Sequence, residues 1–150
     1  MLRVCLLLLT ITVPLAASGI RLGVIGTDTS HAIAFSRILN DAAARDHVPG
    51  AHVVAAWMGG SPDIEESVAR VDKHAKELHA KWGVKIVSSI AELCPAVDGL
   101  LLESVDGRTH LPQFRAAMQC GKPVFIDKPL ASTFHDAREI ALLALEHNIP

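Results

Sequence analysis

Short apolar runs alternate with stretches of helical periodicity from Ile20 to the end of the chain, and that alternation predicts βαβ units around a parallel sheet. The first strand is expected over Ile20–Ile25. A helix follows from about Ser30 to Asn40, with Ile33, Ala34, Ile38 and Leu39 on its apolar face. His52–Met58 reads as the second strand, and Ser61-Pro62 as the N-cap and first residue of a long helix running from Asp63 to about Lys81. Val84–Val87 is a third strand, and Ser89 with Glu92 is a capping box that opens a short helix closed by Pro95. Asp98–Glu103 is the fourth strand, whose continuous apolar core Leu100-Leu101-Leu102 suits burial on both faces. A helix over Leu111–Cys120 stops at Gly121, Pro123–Ile126 is the fifth strand, and Thr133 with Asp136 caps a last helix reaching about His147. The predicted fold is α/β, a doubly wound parallel sheet in a three-layer αβα arrangement.

The apolar run Val4–Val13 has no place in that sheet. Arg3 precedes it, Pro14 breaks it, and Ala16, Ala17 and Ser18 follow, which is the pattern of a secretory leader cut before Gly19. Residues 1–18 are therefore expected to be a signal peptide, and 19–150 a single domain in the periplasm or outside the cell. The run is short for a bilayer span. Composition adds little: 150 residues, 50% hydrophobic and 20% charged, are ordinary for one globular domain. The formal charge of −2 becomes about −3 once Arg3 leaves, so no basic footprint for nucleic acid exists. Cys94 and Cys120 remain after cleavage. Export permits a disulfide, but they stand near the ends of different predicted helices, and two free, partly buried thiols are expected.

Chemistry concentrates where strands end, the edge at which open parallel sheets bind ligands. Thr27, Asp28, Ser30 and His31 follow strand one; Glu103, Ser104, Asp106, Arg108 and His110 follow strand four; Asp127 and Lys128 follow strand five. The first of these turns begins like the dinucleotide fingerprint G-x-G-x-x-G. Gly26 keeps the first position, but Asp28 and His31 occupy the other two. Asp28 is either a ligand for a hydroxyl, ribose or metal, or a cap on the following helix, and capping is favoured. A carboxylate there opposes a pyrophosphate unless His31 carries a proton or the phosphates shift. Trp57, Met58 and Gly59 stand where an acidic ribose ligand is usual, and Asp63 reads as a helix-start residue. His110 reads equally as a holder of a cofactor loop or a cap on the next helix. Asp28, His31, Glu103 and His110 are all metal-ligand types, but they lie on separate loops without ligand-pair spacing, and no metal is expected.

The segment Gly121-Lys122-Pro123-Val124-Phe125-Ile126-Asp127-Lys128-Pro129-Leu130 closely resembles the A-G-K-x-V-x-x-E-K-P-L segment of the glucose-fructose oxidoreductase and inositol dehydrogenase (Gfo/Idh/MocA) family, with Asp127 for its glutamate. Asp98–His110 is similar to that family's D-x-V-x-I-x-T-P-N-x-x-H, with one extra loop residue and Ser104-Val105-Asp106 for T-P-N. With Gly23–Gly26 the match spans the mature chain, and the turn marks a divergent branch. The resemblance implies a Rossmann-like domain that binds NAD or NADP, with hydride moved to or from a sugar, polyol or related alcohol. It implies a catalytic role for Lys128, whose ammonium favours developing alkoxide charge, and cofactor contacts from Gly26, Thr27, Asp28, Ser30, His31, Ser104, Asp106, His110, Asp127 and Lys128. The family's second domain, with most substrate contacts, would follow Pro150; such a longer protein is compatible with a homo-oligomer, and this chain alone is expected to be inactive. The alternative is a non-catalytic Rossmann-like domain holding a sugar or another nucleotide.

Overall fold

A computed structural model describes residues 19–150, so the expected leader lies outside the described residues. Five parallel strands, β1 (Ile20–Ile25), β2 (Ala51–Trp57), β3 (Lys85–Val87), β4 (Gly99–Leu102) and β5 (Val124–Ile126), form one sheet in the order β3-β2-β1-β4-β5. The order reverses at β1. Its two neighbours lead away in opposite directions, and Ile25, at the end of β1, lies level with Trp57 of β2 and Leu102 of β4. A crevice opens at that point in folds of this topology.

The helices are α1 (Ser30–Asn40), α2 (Glu65–Trp82), α3 (Gly107–Ala117) and α4 (Phe134–Glu146), with short 3-10 turns at Ile90–Glu92 and Met118–Cys120. Helices α1 and α2 pack together, as do α3 and α4. The three layers enclose two apolar clusters. One contains Ile25, Leu93, Leu100, Leu102, Phe114 and Ile140, and the other Val24, Ala32, Val53, Leu78 and Val84. Strand residues that alternate in direction feed both clusters, which is why Val24 and Ile25 are each fully buried. No helix among the described residues is long and apolar enough to cross a membrane.

Three local expectations are corrected. Helix α2 starts at Glu65, not at Pro62, and its N-cap Ile64 offers no side-chain bond. Ser61 is engaged elsewhere: its hydroxyl donates to Asp106 Oδ2 at 2.8 Å. Helix α3 starts at Gly107, four residues before the predicted Leu111, because Asp106 is its N-cap and accepts from the Arg108 amide at 2.9 Å. Cys94 and Cys120 are joined in a disulfide with Cα atoms 4.9 Å apart, not held as free thiols. The turns after β3 and after α3 bring them together, a proximity that a separation of 26 residues does not reveal.

Candidate functional site

Three loops meet over the end of β1. Gly26 has φ +94°, and a Cβ there would lie 2.6 Å from the amide nitrogen of Ser104 and 2.7 Å from its Cα. Gly59, after β2, approaches from the other side: its Cβ position is 3.2 Å from the Gly26 Cα. Only a residue without a side chain lets the β1 turn lie this close to the β4 loop. Parallel pairing also runs past the strand, because the Gly26 amide donates to Trp57 O (2.9 Å) and the Thr27 amide to Met58 O (2.7 Å).

Below this junction, α2 holds the turn with polar residues. Thr27 is buried and its hydroxyl donates to Val71 O at 2.8 Å, while its carbonyl faces His74 Nδ1 at 2.9 Å. Asp28 is fully buried. It accepts from the Ser67 hydroxyl at 2.7 Å and from the Val105 amide at 3.3 Å. Asp28 is therefore not the cap of α1; Thr29 is, accepting from the His31 amide at 3.2 Å. The α2 face that packs is accordingly more polar than its periodicity indicates: Ser67 and His74 are buried, whereas Val68 is exposed.

The β4 loop is tied down just as firmly. Asp106 accepts from Ser61 and from Arg108, whose guanidinium also spans to Asp63 at 2.8 Å. These donors hold the Asp106 carboxyl down at about 2, with Arg108 the largest influence. Asp63 thus serves as an ion-pair partner and not as a helix cap. His110 is fully buried within the first turn of α3, its Nε2 2.7 Å from Ser104 O and its Nδ1 3.2 Å from Leu130 O. It joins the β4 loop to the segment after Lys128-Pro129, and it caps nothing. Ser104 is buried with its hydroxyl unpartnered.

The expected residues therefore divide into three groups. Thr27, Asp28, Asp106 and His110 form the frame, with their polar atoms taken by protein. Gly26 and Ser104 form the junction between the loops. Ser30 is exposed at the start of α1; at the crevice His31 and Asp127 are half-buried and Lys128 is exposed. His31 Nδ1 pairs with Asp127 Oδ2, joining the loops after β1 and β5.

Glu103 belongs with His31, Asp127 and Lys128 at the crevice, although no cofactor contact is expected of it from the sequence. It ends β4, is 1% exposed, and neither carboxylate oxygen has a hydrogen-bond partner. Burial pushes its carboxyl up to about 8, Asp127 adds to the rise, and Lys128 opposes it. The signal in the sequence is an acidic residue that directly follows the Leu100–Leu102 run. His31, Glu103 and Asp127 place their ligand atoms within 4.8 Å of one another. The crevice thus joins an imidazole and two carboxylates, beside the lysine that acts on Glu103.

Known proteins match this frame. Residues 20–149 fit the family model described as an oxidoreductase family with an NAD-binding Rossmann fold. Inositol 2-dehydrogenase from Cereibacter sphaeroides is 34% identical over 124 residues, which is 81% of this chain and 31% of that protein. A 1,5-anhydro-D-fructose reductase from Ensifer adhaerens is 40% identical over 67 residues, 43% of this chain and 20% of that protein. The myo-inositol dehydrogenase of Lactobacillus casei, solved in complex with NAD(H) and myo-inositol, superposes with a TM-score of 0.62 at 26% identity, over 86% of this chain and 34% of that one. The chain spans about a third of the length of the inositol dehydrogenases it matches. With its 3-2-1-4-5 sheet and its Asp127-Lys128-Pro129 turn, the chain belongs to the Gfo/Idh/MocA oxidoreductase family, as an NAD-binding Rossmann domain.

Proposed function

We propose that this chain is the dinucleotide-binding part of an exported oxidoreductase that binds NAD or NADP in the β1/β4 crevice and acts on a sugar, polyol or related alcohol. The observation that carries the reading is Lys128 at the carboxyl end of β5, following the residue paired with His31 and electrostatically coupled to buried Glu103. A bound nicotinamide supplies the hydride donor or acceptor. Lys128 supplies positive charge beside the reacting oxygen, where it favours an alkoxide over a neutral hydroxyl. His31, at the start of α1, lies where a helix N-terminus favours anions, and Ser30 is the exposed residue beside it. The Cys94–Cys120 disulfide supports an oxidising compartment and hence export.

One observation favours a second reading, a non-catalytic domain for a sugar or another nucleotide. The Gly26 and Thr27 amides are already spent on the Trp57 and Met58 carbonyls, and Ser104 covers Gly26. Titration with NADH and NADPH, followed by cofactor fluorescence, separates the two. Saturable binding that survives Lys128→Ala, together with loss of hydride transfer in a longer Lys128→Ala protein, supports the first. Failure of either nucleotide to bind the folded chain supports the second.

A further inference from the structure

We propose that His31, Glu103 and Asp127 form a binding site for a first-row divalent cation such as Zn2+ or Mn2+. The three side chains come from the first turn of α1 and from the segments after β4 and β5, and among the described residues they are the group whose ligand atoms converge, all within 4.8 Å of one another. A tetrahedral ion with ligands at about 2.1 Å holds them about 3.4 Å apart, so the directly paired His31 Nδ1 and Asp127 Oδ2 open to admit it while any wider pair closes.

Glu103 is the independent pointer. A side chain that is 1% exposed with both oxygens unpartnered lacks the hydrogen bonds that buried polar groups ordinarily have. A cation between Glu103 and Asp127 supplies a partner for those oxygens and favours the ionised form of both carboxyls. The protein cation acting on Glu103 is Lys128, an exposed side chain that leaves both Glu103 oxygens without a hydrogen bond.

Donor chemistry selects the ion. One imidazole and two carboxylates without a thiolate suit borderline first-row metals, whereas Mg2+ and Ca2+ favour all-oxygen sets. The histidine is also oriented for the task. Its ring leans on Phe35 with centroids 5.8 Å apart, and Phe35 meets Phe125 of β5 edge-on at 6.1 Å. Such packing limits ring rotation, as outer contacts do at known metal sites. The inference does not depend on the cofactor reading, since no nucleotide group is among the ligands.

The test uses the untagged full chain, stripped with EDTA and titrated with ZnCl2 by calorimetry and with CoCl2 by visible absorption. One ion per chain is expected. Glu103→Gln and Asp127→Asn should each weaken binding by at least about tenfold, in line with the cost of disturbing metal sites, and His31→Gln should also change the Co2+ absorption bands. His135→Gln, at an 84% exposed side chain, should leave binding unaltered. Circular dichroism checks each variant, and if Glu103→Gln fails to fold, the half-exposed His31 variant decides. Absence of binding by the parent chain overturns the proposal. So does binding that all three ligand variants retain.

Discussion

Gly26 and Gly50 offer a matched pair for measuring how tightly the loops over β1 are packed. Their backbones are nearly the same, with φ of +94° and +96°, but their surroundings differ completely. A Cβ on Gly50 meets nothing within 4 Å, whereas one on Gly26 lies 2.3 Å from the Ser104 hydroxyl and within 2.7 Å of two backbone atoms. Alanine at either site adds the left-handed strain of about 1–2 kcal/mol, less the few tenths gained by restricting the unfolded chain. At Gly26 it also forces the β1 and β4 loops apart, an overpacking cost of about 1–3 kcal/mol. Gly50→Ala should therefore lose about 1 kcal/mol and Gly26→Ala about 3–4 kcal/mol. Urea unfolding followed by circular dichroism at constant slope measures both. Equal losses, to within about 0.5 kcal/mol, would refute the close approach of Gly26 to Ser104.

Asp106 has a depressed folded pKa, about 2 against an ordinary 3.8, so its contribution is complete above pH 4 and disappears as pH falls toward 2. Asp106→Asn should cost about 2 kcal/mol at neutral pH and flatten the acid limb of the stability curve; a parallel acid limb would contradict the assignment. Cys94→Ser/Cys120→Ser should lower stability by about 3.5 kcal/mol on the chain-entropy scale for a 26-residue separation, and dithiothreitol should lower the parent's melting temperature but not the variant's. Asp28→Asn should weaken the fold by about 1–2 kcal/mol through the Ser67 and Val105 bonds, with NADH affinity changed less than about twofold. A large gain in NADH affinity would instead make Asp28 a charge that faces the cofactor.

The strands were legible because each is a short apolar run, and a doubly wound sheet needs those runs covered on both faces. Local capping was less legible wherever a polar residue had a distant partner. Asp28 looks like a cap when only its neighbours are considered, but Ser67 stands 39 residues away. Ser61 and Asp63 look like the start of α2, yet Asp106 and Arg108 draw them across the crevice. The first turn of α3, Gly107 to His110, hides because its apolar stripe begins later and its buried position is a histidine bonded to two carbonyls. At the site, the sequence places Asp127 and Lys128 at a strand end, but the convergence of His31 and Asp127 on Glu103 depends on β1, β4 and β5 being adjacent. Strand order is a property of the assembled sheet.

Direct titration of NADH and NADPH into the metal-stripped chain tests whether the crevice over β1 and β4 takes a dinucleotide. Saturable enhancement of reduced-nicotinamide fluorescence is expected for at least one of the two, displaced by the oxidised form and retained in Asp28→Asn. A folded chain whose addition leaves the fluorescence of both nucleotides unchanged at millimolar protein would contradict it.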